Sequence, residues 1–401
     1  MSRRFLTRGR RGGAALAALT ASLLLATACA PSGEDPAAAP SASPSAEPSG
    51  DAPGPGSEAL AIPEFDVDLD QLAEQGIEAL ENLEGYEDWQ WDDWRNWADQ
   101  HIFQNPLIRD LWDPERFEQA EPPQQEEPPA ESPTPEPEEP DDGVPPAIEA
   151  EAAPRPYAET GEAIVGKLFF DTPEGPAECS ATVVADPSNP GASNLVWTAG
   201  HCVHGGNGAG WYRNIMFVPA FNSAGNAEDP DVTTEELSPY GAWWAVDATA
   251  STLWQESGEN YGNEASTEDW AILRVANMDG STTSLEETVG DAAPVWFNAD
   301  EELARADAWG YPAVPPYDGL DLYSCAQDDP DRLDVTPDTT PMWWIGCTMT
   351  GGASGGGWFA ERDGERVLIS NNSIADLDYT WMAGPYLGAE AEAAFEEFTA
   401  G

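Results

Sequence analysis

The chain has 401 residues, with 37 prolines and 37 glycines, and sets 74 acidic against 16 basic side chains for a net charge of -58. A surface of that sign repels phosphate backbones and anionic lipid headgroups, which excludes nucleic-acid binding and electrostatic attachment to membranes. It is compatible with life at high salt, where screening shortens the range of self-repulsion from about 10 Å to about 3 Å.

Residues 1–28 read as a signal peptide. Arg3, Arg4, Arg8, Arg10 and Arg11 precede an apolar run from Ala14 to Leu25, followed by the small residues Ala26, Thr27 and Ala28. The run is shorter than the roughly 20 residues that span a bilayer. Arg3-Arg4-Phe5-Leu6 falls one residue short of the twin-arginine spacing, so both export routes stay open. The expected location is outside the cell or on the outer face of a bacterial membrane.

Five cysteines are present, an odd number for an exported chain. Cys29 directly follows the small-residue cleavage site and resembles the lipidated cysteine of bacterial lipoproteins, which predicts a membrane tether. Ordinary cleavage nearby, leaving Cys29 free or removed, is the alternative. Cys179, Cys202, Cys325 and Cys347 then form an even set in a compartment where disulfides persist.

Residues 29–57 form a Pro/Ala/Ser tether with too little apolar content to fold. In residues 58–117, Leu69, Leu72, Ala73, Ile77, Leu80 and Leu83 recur at helical spacing among acids, and Gly85 ends the run. Trp89, Trp91, Trp94, Trp97 and Trp112 follow. This stretch is either a prosegment packed on the domain after it or a partner-binding element. Residues 118–156 are a linker dominated by proline and glutamate, stiff and extended. The acidic N-terminal region is therefore expected to be largely disordered.

Residues 157–401 change character. Lys167–Phe170, Ser180–Val184, Asn214–Val218, Trp270–Val275 and Val367–Ser370 are short β-branched or aromatic runs between Gly, Pro, Asn and Asp. Many short strands with frequent turns predict an all-β sandwich or barrel. A helix is expected at Ala389–Phe398. About 240 residues fit one domain of two small barrels.

The chain has three histidines, His101, His201 and His204. Hydrolytic zinc sites usually take two or three His with carboxylates, and no HExxH element exists, so neither a metal nor another cofactor is expected. Gly352-Ala353-Ser354-Gly355-Gly356 places a serine in a glycine-rich turn able to aim N–H groups at a developing oxyanion. The pattern also fits the nucleophile elbow of α/β-hydrolases, but those enzymes carry their histidine after the serine, and none follows Ser354. The order left is His, Asp, Ser.

Three motifs then carry a resemblance. Trp197-Thr198-Ala199-Gly200-His201-Cys202, Glu268-Asp269-Trp270-Ala271-Ile272-Leu273 and Thr350-Gly351-Gly352-Ala353-Ser354-Gly355-Gly356 resemble the histidine, aspartate and serine motifs of trypsin-like serine peptidases. Trp309-Gly310-Tyr311-Pro312 and Gly384-Pro385-Tyr386-Leu387 make the chain similar to the secreted bacterial branch that includes glutamyl endopeptidases. The resemblance covers about residues 166–388. It implies two six-stranded antiparallel β-barrels of chymotrypsin type with a C-terminal helix. It also implies a His201, Asp269, Ser354 triad, an oxyanion hole of Gly352 and Ser354 N–H groups, and a Cys179–Cys202 bridge closing the histidine loop. Cys325 and Cys347 are expected to pair near the substrate pocket, worth roughly 3 kcal/mol in a chain-entropy account.

The implied activity is hydrolysis of peptide bonds in proteins or peptides through an acyl-enzyme, without cofactor; the sequence does not give the oligomeric state, and a monomer is assumed. A serine hydroxyl needs a base to take its proton, and an imidazole of ordinary pKa near 6.5 can accept and return it. Asp247 is the rival acid. Three departures stand out. Ala353 replaces the aspartate that receives a freed N-terminal amine in trypsin. Thr348 stands where the base of the specificity pocket is expected and brings no acid for Lys or Arg; no histidine follows the serine to bind a glutamate. Gly357 stands where proline is common. The alternative to catalysis is a tethered binding or scaffolding protein on a silent peptidase fold.

Overall fold

Strand formation follows the β-branched and aromatic runs. The computed structural model describes residues 112–123, 143–157, 161–259, 262–277 and 281–400. The signal peptide, Cys29, the tether, the amphipathic run and Trp89–Trp97 lie outside the described residues.

Six strands, β2 (Val165–Thr172), β3 (Gly175–Val184), β4 (Leu195–Thr198), β5 (Arg213–Pro219), β6 (Trp243–Ala250) and β7 (Ala271–Asn277), close a barrel in the order β2-β3-β4-β7-β6-β5. Every neighbouring pair in it is antiparallel. Leu168, Val183, Val196, Trp197 and Ile272 are fully buried in its core. β2 is buried nearly throughout rather than on alternate residues, because its outer face is covered as well: Phe169 and Phe170 are both fully buried.

The second half carries β1 (Glu151–Ala152), β8 (Arg305–Gly310), β9 (Tyr323–Asp328), β10 (Asp331–Leu333), β11 (Met342–Gly346), β12 (Gly357–Arg362), β13 (Glu365–Asn371), β14 (Ile374–Ala375) and β15 (Trp381–Gly384). These strands form a five-stranded sheet, β1-β9-β8-β12-β13, and a four-stranded one, β10-β11-β15-β14. Trp343, Ile345, Trp358 and Ile369 fill the core they share. The C-terminal helix, Ala389–Ala400, buries Ala391 and Phe395 against Phe297 and Trp197, with ring centroids 5.3 and 6.3 Å from that of Phe395.

Two segments placed before the β-rich domain by their composition pack on it. Residues 143–157 add β1 to the edge of β9, with Glu151 opposite Ser324. Residues 112–123 lay Trp112 and Phe117 on the barrel, each within 5.5 Å of Phe169 between ring centroids. Apolar surface on both sides explains why these pieces are ordered despite their proline.

The halves are joined by buried polar bonds. Ser180 N–H donates to Ser354 O at 2.7 Å, and Gly357 N–H to Thr182 Oγ1 at 3.0 Å. A proline at 357 has no N–H to make that bond, and any Cβ there would stand 2.6 Å from Leu368 Cδ1 and Thr182 Oγ1, which accounts for the glycine. Trp197 Nε1 donates to Asn371 Oδ1 at 3.0 Å, and Asn371 Nδ2 donates to Asp269 O at 3.0 Å. Replacing Asn371 by alanine orphans a buried donor and a buried acceptor. Asn371→Ala is expected to cost roughly 2–4 kcal/mol, read as a lower urea midpoint at unchanged slope.

Candidate active site

Chain geometry brings His201 and Asp269 together before any charge is considered. β4 runs into a short 3-10 turn, Gly200–Cys202, and Asp269 sits at the end of another, Glu264–Glu268, just before β7 pairs with β4. Asp269 Oδ1 accepts the His201 backbone N–H at 2.8 Å, and Oδ2 lies 2.7 Å from Nδ1 of the ring. Close approach demands a glycine at 200: a Cβ there would stand 2.8 Å from the Trp254 ring and 3.0 Å from Asp269 Oδ1.

Asp269 is 1 % exposed. A buried polar group is costly unless it is hydrogen-bonded, and a third donor comes from Ser373, whose hydroxyl donates to Oδ2 at 2.6 Å. With Nδ1–H turned to the carboxylate, Nε2 is left with its lone pair for a neighbour. Trp254 covers the imidazole at 5.9 Å between ring centroids, and its own N–H is held by His204 O at 3.0 Å.

His201, Asp269 and Ser354 line one cleft of about 480 Å³. Ser354 lies in the turn between β11 and β12. Among the described residues its hydroxyl forms no hydrogen bond, with the His201 ring or with any other group. Gly352 takes a positive φ of 95° in that turn, and the N–H groups of Gly352 and Ser354 likewise donate to no described acceptor. Asn372 holds the turn from behind. Its Nδ2 donates to Ala353 O at 2.7 Å and Trp309 O at 2.8 Å, its Oδ1 accepts from Trp358 Nε1 at 2.6 Å, and its carbonyl accepts Gly355 N–H at 2.8 Å.

Other residues singled out above fall elsewhere. Thr348 does not line the cleft: its hydroxyl accepts Ala150 N–H at 2.9 Å and meets Tyr317 OH at 3.0 Å, so residues 146–150 cover it. The apolar wall of the cleft is instead Met349, Ile374, Ala375 and Met382, none of them charged. Asp247 is exposed on β6 and away from the cleft. Cys179 and Cys202 are bonded at 2.05 Å, and Cys325 and Cys347 at 2.04 Å. Cys179, His201 and Cys202 cluster as metal ligands do, but both sulfurs are spent in the disulfide. His204 is held neutral by burial, its pKa lowered to about 4, and its Nδ1 accepts Gly206 N–H at 3.1 Å.

Asn372 and Ser373 escaped the reading of the sequence. The signal available was Asn371-Asn372-Ser373, three polar residues closing the buried end of β13, where unpaired polar groups are costly.

No family model and no curated protein matches the chain. Among solved structures, the thermostable serine protease AL20 from an extremophilic microorganism is 31 % identical, covering 60 % of this chain and 98 % of its own, with a TM-score of 0.49. The protease Anisep from Arthrobacter nicotinovorans is 30 % identical over 60 % and 96 %, also at 0.49. A Glu endopeptidase, solved with MPD, is 14 % identical over 63 % and 97 %, at 0.45.

Beside Asp269, burial raises the Glu268 carboxyl to a pKa of about 7, against the lowering effect of the Trp270 N–H it accepts at 2.7 Å. Below the ordinary carboxyl range the group is neutral in both folded and unfolded chains. As pH rises from the ordinary carboxyl range towards about 7 the unfolded chain ionises this group while the folded protein keeps its proton, so stability falls across that window and levels off once the folded group ionises as well. Glu268→Gln is expected to melt higher than wild type at pH 8 and together with it at pH 4, read by thermal unfolding at both values.

Proposed function

The chain belongs to the bacterial chymotrypsin-like serine protease family, and on that premise we propose that it is an exported endopeptidase using His201, Asp269 and Ser354 as its catalytic triad. The observation that carries the reading is the buried Asp269 carboxylate gripping both the backbone and the ring of His201 in a cleft shared with Ser354. Export is supported by the signal-like N-terminus and the two disulfides. Among the described residues no helix is long and apolar enough to cross a membrane.

The chemistry follows from the groups in place. Ser354 Oγ attacks the carbonyl carbon as His201 Nε2 takes its proton, forming the C–O bond and placing the negative charge on the former carbonyl oxygen. Gly352 and Ser354 N–H groups receive that oxygen. Collapse breaks the C–N bond, and His201 returns the proton to the departing amine, leaving an acyl group on Ser354. Water repeats the sequence and frees the acid. Asp269 holds the imidazole in the required tautomer and stabilises its charged form, while Ser373 fixes the carboxylate.

The turn needs no ion pair behind the serine. Ala353 packs on Gly310, and the neutral amide of Asn372 supplies the bracing. Met349, Met382, Ala353 and Ala375 give the cleft an apolar, uncharged wall.

A fluorophosphonate probe is expected to label wild type and not Ser354→Ala. A folded wild type that takes no label would favour the binding or scaffolding alternative. Profiling on a peptide library is expected to find apolar side chains before the scissile bond, with glutamate, lysine and arginine at least tenfold poorer, since burying a charge without a partner is costly.

A further inference from the structure

The edge of β3 that faces away from β2 is paired with β4 only from Thr182 onward. Nearer the start of β3 the outward N–H of Ser180 goes to Ser354 O at 2.7 Å. The outward N–H of Glu178 goes to Glu121 O at 3.2 Å, and Glu121 N–H donates back to Pro176 O at 3.2 Å. Two residues of strand cover about 7 Å. The chain's own Glu121 is therefore docked one two-residue step along the strand from the serine. Pro122 lies against Gly351, and Glu121, Pro122 and Pro123 line the cleft together with His201 and Ser354.

The leaving half of a bound peptide has to take the same ground. Its departing nitrogen must reach His201 to collect a proton. Cys202, next to His201, is bonded to Cys179, between Ser180 and Glu178. Residues after the scissile bond thus leave along this edge of β3, where the Glu178 N–H and Pro176 O are already taken.

Glu121 is held there by anchors outside the cleft. Asp113 caps the helix Pro114–Gln119 through Arg116 N–H at 2.8 Å. Phe117 stands 4.5 Å from Phe169 between ring centroids, Trp112 Nε1 donates to Asn214 O at 3.1 Å, and Arg116 pairs with the buried Asp171 at 2.5 Å. We propose that residues 112–123 are a strap occupying the leaving-group half of the cleft, which substrates extending past the scissile bond must displace. The proposal rests on the peptidase reading above. The displaced contact is two backbone hydrogen bonds and a proline, so the strap restrains long substrates without blocking short ones.

The test uses the full chain and two substrates with one acyl half. One ends in p-nitroanilide; the other is an internally quenched peptide with four residues after the scissile bond. The ratio of their kcat/KM values, extended over anilide, is compared among wild type, Phe117→Ala and Arg116→Ala. Loosening the anchors is expected to raise the ratio roughly tenfold in Phe117→Ala, about the weight of two net hydrogen bonds. Arg116→Ala, which leaves the buried Asp171 carboxylate without its cation, should raise it by about tenfold or more, with anilide hydrolysis within about twofold of wild type in both. Arg116→Ala, which keeps the apolar anchors, decides the matter if Phe117→Ala does not fold. A ratio that stays level or falls in labelled, anilide-cleaving protein overturns the strap alone, whereas wild type that takes no fluorophosphonate overturns the peptidase reading beneath it.

Discussion

Much of the molecule is organised around one buried anion. The Asp269 carboxylate collects the backbone N–H and ring N–H of His201 from the end of β4 and the hydroxyl of Ser373 from the end of β13. Its own carbonyl is held by Asn371, which also takes the Trp197 N–H. These donors come from both halves of the fold. Neither half alone satisfies a charge buried this deeply, so the stable arrangement is also the one that presents His201 to the cleft.

The serine turn is stabilised differently. With Ala353 in place of an acid, no charge holds it, and Asn372 ties together Ala353, Trp309, Trp358 and Gly355 through neutral bonds. An amide network of this kind does not wait on a newly freed terminal amine. The turn is therefore formed in the intact chain, and control over access falls to whatever lies across the cleft rather than to the turn itself.

The parts legible in the sequence were those with a local signature. Gly200 beside His201, Asp269 leading into an apolar strand and the glycines around Ser354 are each dictated by close backbone approach, and all three side chains line one cleft. Both cysteine pairs were expected with the family resemblance and are bonded, and the C-terminal helix expected at Ala389–Phe398 runs Ala389–Ala400. What stayed hidden depends on contacts distant in sequence. Asn372 and Ser373 are ordinary polar residues until Trp358 and Asp269 are placed beside them. Thr348 was expected at the pocket base by its offset from the serine, yet Ala150 and Tyr317 claim its hydroxyl and Met349 faces the cleft instead. Trp112 and Phe117 read as the tail of an aromatic segment, and only Phe169, exposed on the outer face of β2 without them, shows why they dock.

Lys167 is the only lysine of the chain, and it is 2 % exposed. Its Nζ is paired with Glu178, donates to Gly319 O at 2.9 Å and lies 5.2 Å from the Phe169 ring centroid. The folded domain consequently presents no side-chain primary amine to its surroundings. Acylating reagents, amine cross-linkers and lysine-directed ligases find no foothold on it beyond the chain's amino terminus, and a reagent that does modify Lys167 reports that β2 and β3 have come apart.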